Sequence, residues 1–226
     1  MLILSMKFNI MAKLLGEGFL VSLSIFVLTL LFSLPLGFII YFGRSSKIKI
    51  IRIIFQIYIS IMRGTPLMLQ LFIVYFGPYY IFKLPLSNEY RFIAVIIGFV
   101  LNYAAYFAEI YRSGFDAIPK GQYMACKVLG LNKSQTFFQV ILPQVIRNVI
   151  PPVTNEIITL IKDTSLAFAI GVIEMFTRAE QIASKNGNII PYLIAAVFYY
   201  IFNYTVAFII QKIEKRLNRY KKEGNV

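Results

Sequence analysis

The chain has 226 residues, of which 58% are hydrophobic, and it carries a formal net charge of +13 with no histidine and a single cysteine. That apolar share exceeds what a soluble domain uses, so we expect an integral membrane protein. The lack of histidine and the lone Cys126 exclude disulfide frameworks and the usual zinc or iron–sulfur ligand sets, and no metal site is expected.

Long apolar runs recur along the chain. A helix needs about 20 apolar residues to cross the hydrocarbon core of a bilayer. The sequence therefore predicts an all-α membrane protein with about five transmembrane helices, at about 19–43, 53–82, 90–111, 145–175 and 189–211. We expect one transmembrane domain over residues 1–226, with its core at about 15–213 and a basic tail at 214–226.

The basic residues lie mainly in three clusters, at Arg44–Arg52, Arg112–Arg147 and Lys212–Lys222. Clustered lysine and arginine also bind nucleic-acid phosphates. Here, however, the clusters alternate with poorly charged connections, which is the positive-inside pattern of a multi-pass membrane protein. We expect the clusters and the C-terminus in the cytoplasm, the N-terminus outside, a lipid bilayer around the chain and no nucleic-acid partner.

The remaining connections, near Lys83–Arg91 and Arg178–Asn188, are short and mixed in charge. They leave no room for a folded extracellular domain. The sequence also contains no G-x-x-x-x-G-K-[ST] phosphate-binding loop. Substrate capture outside the cell and any ATP chemistry are therefore expected to come from other chains.

The connection between the third and fourth predicted spans is predicted to form two short helices. The first covers Gln122–Leu129 and ends at Gly130, which suits the left-handed conformation after a helix. The second begins at Asn132, with Gln135 placed as in a capping box.

The first of these helices carries Met124, Cys126 and Leu129 among polar residues. That pattern is typical of a helix that inserts into a groove on another protein, and equally of a helix that lies on lipid. Spacing alone does not decide between the two.

Short motifs follow one another in a fixed order along the chain. They are Arg63–Leu67, Tyr106–Arg112, Pro119–Gln122, Met124–Cys126 with Gly130, Ile141–Gln144, Asn155–Glu156 and Lys162–Ser165. In this order they resemble the permease (transmembrane) subunits of type I ATP-binding-cassette importers of the polar amino acid family, which serves histidine, glutamate, glutamine, arginine and opines. That family's signature is Glu-Ala-Ala, three residues, Gly, and then Ile-x-Leu-Pro. Met124 and Cys126 depart from its glutamate and its second alanine.

The resemblance implies a permease that moves a polar amino acid across a bacterial plasma membrane. It implies a second permease subunit, identical or paralogous, an external solute-binding protein, and ATP-binding-cassette ATPase subunits. ATP would be bound and hydrolysed by the ATPase, so neither a cofactor nor an enzymatic activity is expected in this chain.

The resemblance also favours the protein groove over lipid for the short helix at 122–129, as a coupling helix that docks on the ATPase. The residues implied in this contact are Gln122, Tyr123, Met124, Ala125, Cys126, Lys127, Gly130 and Leu131. Met124 in place of glutamate implies that one charged contact is lost or replaced.

Three ionisable residues, Glu156, Lys162 and Asp163, interrupt the fourth apolar run. Each costs about 2.5–3.5 kcal/mol at the centre of a membrane helix, so exposure to lipid is excluded. Glu156, Thr159 and Asp163 recur at helical spacing and should line a cavity or an interface. Pro151 and Pro152, which come just before these residues, are expected to break the span.

Two interpretations of these carboxylates are open. One is a structural ion pair with Lys162. The other, implied by the resemblance, is that Glu156 and Asp163 help to bind the amino or cationic groups of the substrate, since carboxylates accept hydrogen bonds from ammonium and guanidinium.

Arg63 is expected near mid-membrane, where a kink at Thr65 and Pro66 would free carbonyls for its guanidinium. It is interpreted either as a structural residue or as a ligand for a substrate carboxylate. Glu109 and Arg112 have the spacing of an ion pair on one helix face.

Two other functional classes remain. A stand-alone secondary transporter or channel for a small polar solute would need no ATPase. A membrane-embedded enzyme would have to rely on Glu156 and Asp163 as its acid–base pair.

Overall fold

The computed structural model describes residues 2–217, with side chains from Asn9 to Arg216. Its regular elements are helices: α1 (Leu2–Arg44), α2 (Lys49–Gly64), α3 (Leu67–Phe82), α4 (Asn88–Asp116), α5 (Lys120–Val128), α6 (Lys133–Gln135), α7 (Leu142–Asp163), α8 (Met175–Asn186) and α9 (Ile190–Leu217). The all-α prediction is confirmed for this part of the chain. Of the predicted basic tail, residues 218–226 lie outside the described residues.

Three helices, α1, α4 and α9, are long and apolar enough to cross a membrane. The pair of α2 and α3, whose two halves meet at a bend of 112°, counts as a fourth crossing only if it is one broken span and not a re-entrant loop. The fourth predicted span, at 145–175, corresponds to α7, which is not among the described helices that are long and apolar enough to cross. Five crossings therefore stay a prediction.

The second predicted span, at 53–82, is not one continuous helix. It is divided at Thr65 and Pro66, where Thr65 is extended with φ −122° and ψ 148°. Proline disfavours a helical residue before it and supplies no N–H to the preceding turn. The kink predicted at this point is thus a full helix break.

The expected break at Pro151 and Pro152 is wrong, because α7 continues through both residues. The fixed φ of proline is compatible with a helix, so the two residues remove the N–H bonds to the carbonyls of Arg147 and Asn148 without ending the helix. The break lies further along, at Asp163. A 3₁₀ turn (Thr164–Ile170) follows there and ends at Gly171, which has φ 77°.

Helix α4 lies at the centre of the bundle and packs against α1, α2, α3 and α7. Its fully buried aromatic residues include Phe99, Tyr103 and Phe107. Helices α1 and α4 approach closely at Gly37 of α1, where an added Cβ atom would lie 2.8 Å from the Phe107 Cβ atom and 3.1 Å from the Ala104 carbonyl oxygen. Because Gly37 has no Cβ atom, the backbone of α1 can pack directly against α4 at this point.

The basic ends of α1, α4 and α9 gather at one end of the bundle. Tyr41 stacks on Phe115 with ring centres 5.1 Å apart, which aligns the C-terminal ends of α1 and α4. Phe19 pairs with Phe198 at 6.2 Å and Phe26 with Phe202 at 5.5 Å, so α1 and α9 run in the same direction. The first and third basic clusters and α5, which follows α4, therefore share one side of the molecule.

The two short helices predicted between α4 and α7 are confirmed as local structure. Helix α5 is followed by Gly130 with φ 75°. The capping box at Asn132 and Gln135 is formed in both directions, with each hydrogen bond at 2.9 Å. A π-helical turn (Thr136–Ile141) then connects α6 to α7.

Candidate functional site

A group of polar side chains lies where α2, α4 and α7 meet inside the bundle. Helix α7 presents Glu156, Thr159 and Asp163 on one side, as their spacing of three and four residues requires. Glu156 and Asp163 are partly buried and Thr159 is exposed. The carboxylate of Asp163, the last residue of α7, accepts a hydrogen bond from the Tyr103 hydroxyl at 2.8 Å.

Helix α2 brings Arg63 to the same place from the helix break. Its guanidinium carbon lies 5.4 Å from the centre of the Tyr106 ring, within the range of a cation–π contact. The Glu156 carboxylate lies within electrostatic range of both the Arg63 guanidinium and the Asp163 carboxylate. The structure therefore brings Arg63, Glu156 and Asp163 together beside Tyr103 and Tyr106, with Thr159 on the same side of α7.

This cluster, which we call the charged site, combines two carboxylates with one guanidinium. Carboxylates accept hydrogen bonds from an ammonium, and a guanidinium donates to a carboxylate. The charged site therefore carries partners for both ionic groups of a zwitterion.

Lys162 does not form the structural ion pair that was one interpretation of the carboxylates. The salt bridges within residues 9–216 involve Arg44, Glu109, Arg112 and Asp116, and none includes Lys162. Lys162 is exposed, and its charge influences Asp163 electrostatically without a salt bridge between the two side chains.

The expectation that Arg63 takes up the freed carbonyls of the break is also wrong. Two buried amides do so. Gln70 Nε2 lies 3.0 Å from the Met62 carbonyl oxygen and 3.1 Å from that of Thr65, and Asn102 Nδ2 lies 3.1 Å from the Met62 oxygen. The Arg63 guanidinium is thereby left to face Tyr106.

The predicted ion pair of Glu109 and Arg112 is confirmed. It is part of a larger network, because Arg44 of α1 also binds Glu109 and Asp116 also binds Arg112. This network lies at the basic end of the bundle and links α1 to α4.

Helix α5 presents an apolar surface. Met124 is 71% exposed, Val128 87% and Leu129 77%, and Tyr123 is also exposed. Cys126 faces the other way and is buried against the chain itself. Gln122 is held there too, since its side-chain oxygen accepts a hydrogen bond from Gln144 of α7. We call Tyr123, Met124, Val128 and Leu129 the α5 tip.

Sequence reasoning missed Tyr103, Tyr106, Gln70 and Asn102. For three of them, Asn102, Tyr103 and Tyr106, the signal was the run Asn102–Tyr106, which places three polar groups in the middle of an apolar span. It also missed Glu174, a fully buried carboxylate that caps α8 and accepts from the backbone N–H groups of Phe176 and Thr177 at 2.7 and 2.8 Å.

Residues 33–219 match the family model described as "Binding-protein-dependent transport system inner membrane component". The L-cystine transport system permease protein of Bacillus subtilis is 38% identical over 208 residues, which cover 91% of this chain and 87% of that protein. The arginine transport system permease protein of the same organism is 35% identical, covering 89% of this chain and 91% of that protein.

Among solved structures, an amino acid ABC transporter with histidines superimposes with a TM-score of 0.84 at 30% identity, over 94% of this chain and 97% of that one. An inward-facing methionine ABC transporter, MetNI, has a TM-score of 0.65 at 20% identity, over 92% of this chain and 95% of that one, and supports the fold alone.

Proposed function

Because the chain belongs to the family of binding-protein-dependent transport system inner membrane components, we propose that it is the transmembrane permease subunit of an ABC importer for a polar amino acid. The observation that carries this proposal is the charged site, which places opposite charges inside a membrane bundle. Such groups are costly in lipid and mark transport pathways. The relatives named for cystine and arginine transport are in keeping with an amino acid as substrate.

In this proposal Glu156 and Asp163 accept hydrogen bonds from the α-ammonium or a cationic side chain of the substrate, and Arg63 binds its carboxylate. Thr159, exposed beside them, supplies a neutral hydroxyl. The α-ammonium and the α-carboxylate are common to all α-amino acids. When the site binds these two groups, discrimination between amino acid side chains takes place elsewhere, in the external binding protein or around the side-chain end of the substrate.

The α5 tip is the proposed contact with the ATPase. A coupling helix must expose a surface that no part of its own chain covers, and Met124, Val128 and Leu129 meet that condition. Tyr123, Ala125, Lys127, Gly130 and Leu131 belong to the same contact region, whereas Cys126 and Gln122 hold α5 against its own chain. Because Met124 stands where the family signature has glutamate, the ATPase groove is expected to be apolar at this point.

The basic end of the bundle is proposed to face the cytoplasm, in a bacterial plasma membrane, with the N-terminus outside. The positive-inside rule supports this orientation, and it places α5 on the side where ATP is available. Residues 1–226 then form one transmembrane domain that pairs with a second permease subunit below an external binding protein.

Transport follows from the alternation of two states. ATP binding closes the ATPases, moves α5 and opens the charged site to the outside, and hydrolysis restores the inward-facing state. A ligand shifts such an equilibrium only through differential affinity, so the charged site is expected to hold substrate more tightly in one orientation than in the other.

The stand-alone transporter is the other functional class considered, and it predicts uptake without an ATPase. To decide between them, the chain is reconstituted in liposomes with and without its ATPase and a loaded binding protein. We expect uptake of an amino acid only with both partners and with ATP. Uptake that persists without the ATPase would reject the proposal.

A second experiment addresses the charged site. We expect Glu156→Gln or Asp163→Asn to reduce the stimulation of ATPase activity by loaded binding protein at least about tenfold, because a substrate ammonium loses a charged acceptor worth roughly 1.5–3 kcal/mol. Glu180→Gln is the matched control, since Glu180 is an exposed glutamate of α8 outside the site. Unchanged stimulation by every amino acid tested would remove these carboxylates from the site.

A further inference from the structure

The break between α2 and α3 is closed by a pair of side-chain amides, Gln70 and Asn102. Both are buried, with 7% and 5% exposure. They contact each other through Asn102 Nδ2 and Gln70 Oε1, which are 2.9 Å apart. A buried polar pair in an apolar bundle is unfavourable unless each group is satisfied.

The groups that satisfy this pair are carbonyls exposed by the break. In a continuous helix the Met62 carbonyl would accept from the N–H of residue 66, but residue 66 is proline and has none. Gln70 and Asn102 both donate to that carbonyl instead, at 3.0 and 3.1 Å. Within the membrane a break is tolerated only where such partners exist.

The break is fixed on its second side as well. Gln70 Nε2 lies 2.8 Å from the Thr65 hydroxyl, which itself donates to the Ile61 carbonyl at 2.8 Å. One amide from α3 and one from α4 thus hold the last turn of α2 in place. Arg63 is the residue next to Met62 in that turn.

We propose that Gln70 and Asn102 are positioning residues for substrate binding, because they fix the last turn of α2 and so hold the Arg63 guanidinium over Tyr106 and toward Glu156. This role rests on the proposed function. The amide pair touches no substrate and acts through Arg63.

The test measures the dissociation constant of the purified permease–ATPase complex for a radiolabelled amino acid that the wild-type complex transports, without the binding protein. We expect Asn102→Leu and Gln70→Leu each to raise the dissociation constant about 5- to 20-fold, the size of coupling found between contacting groups. The control Asn203→Leu removes an amide from α9, away from the break, and should leave the constant unchanged.

A double-mutant cycle separates positioning from general damage. In an Arg63→Gln background, Asn102→Leu should change the dissociation constant by less than about twofold, because the group it positions is already gone. The reciprocal exchange Gln70→Asn with Asn102→Gln keeps both amides and should restore binding to within about threefold of wild type. Each variant must keep the basal ATPase rate of the complex, which reports folding and assembly.

If Asn102→Leu raises the dissociation constant about 5- to 20-fold in the Arg63→Gln background as well, the positioning role is overturned and the permease assignment stays intact. So would loss of basal ATPase activity in both leucine variants and in the exchange variant, which marks a purely structural pair. Failure of the wild-type complex to import any amino acid would instead overturn the proposed function and this role with it.

Discussion

Tyr103 and Tyr199 place the same group, a phenol hydroxyl, against two different carboxylates. The Tyr103 hydroxyl donates to Asp163 in the charged site at 2.8 Å. The Tyr199 hydroxyl donates to Glu174, the buried cap of α8, at 3.2 Å. The two contacts are chemically alike, and only the first belongs to the proposed substrate pathway.

This contrast gives a prediction at the scale of single residues. Tyr103→Phe should weaken amino acid binding by the permease–ATPase complex about fivefold, since a single hydrogen bond contributes roughly 1 kcal/mol and Asp163 would lose its fixed orientation. Binding of the radiolabelled amino acid to the purified complex measures the effect.

Tyr199→Phe is the matched control and should leave binding unchanged while lowering the melting temperature of the complex. If the two variants weaken binding equally, Tyr103 has no special relation to the site.

Single residues also show what the sequence could predict. Glu156, Thr159 and Asp163 were placed on one side correctly because helical spacing alone determines that. The carbonyl partners of the break were not predictable, because Asn102 lies 40 residues from Met62 along the chain. Propensity and spacing carry no information about a contact over that distance.

At the scale of elements, α5 and α7 differ in how far local rules apply. The terminal Gly130 of α5 and the capping box after it follow from nearest neighbours in the sequence, and both were predicted, whereas the helix runs over Lys120–Val128 and not over the predicted Gln122–Leu129. In α7 the two prolines suggested a break, but the helix continues through both of them among its packed neighbours. Predictions from neighbouring residues were correct at the exposed end of α5, and they were wrong in α7, where other helices surround the chain.

The exposed α5 tip supports a prediction at this scale. Val128→Asp should reduce ATP-driven uptake at least about tenfold, because it places an unpaired charge in the proposed interface with the ATPase. Val128 is 87% exposed in the isolated chain, so the variant should fold normally. Uptake in liposomes and the amount of ATPase that copurifies are the measurements.

Ser134→Asp introduces the same charge six positions further on, at an exposed residue beyond the tip. We expect it to keep most of the uptake. An equal loss in both variants would mean that added negative charge near the membrane, and not the contact of the tip, explains the effect.

At the scale of the whole molecule, the bundle depends on the packing of α1 against α4. Gly37→Val would push a side chain into Phe107 and Ala104, whose atoms lie 2.8 and 3.1 Å from the Cβ position. Overpacking of this kind costs about 1–3 kcal/mol. We expect a lower melting temperature and poorer recovery of the permease after detergent extraction.

Gly16→Val is the control on the same helix, because a Cβ atom there meets nothing within 4 Å. It adds the same side chain, with the same change in helix propensity, but without the clash. Equal destabilisation by both variants would show that the added side chain itself, and not the approach of α4, accounts for the change.

The α5 tip has a practical consequence for making this protein. Met124 and Val128 of α5 and Leu129 directly after it project away from the chain, and most of their surface is uncovered. Patches of this type promote self-association. We therefore expect the subunit produced alone to aggregate or to be degraded. Under the proposed function, synthesis together with the ATPase should raise the yield of monodisperse material.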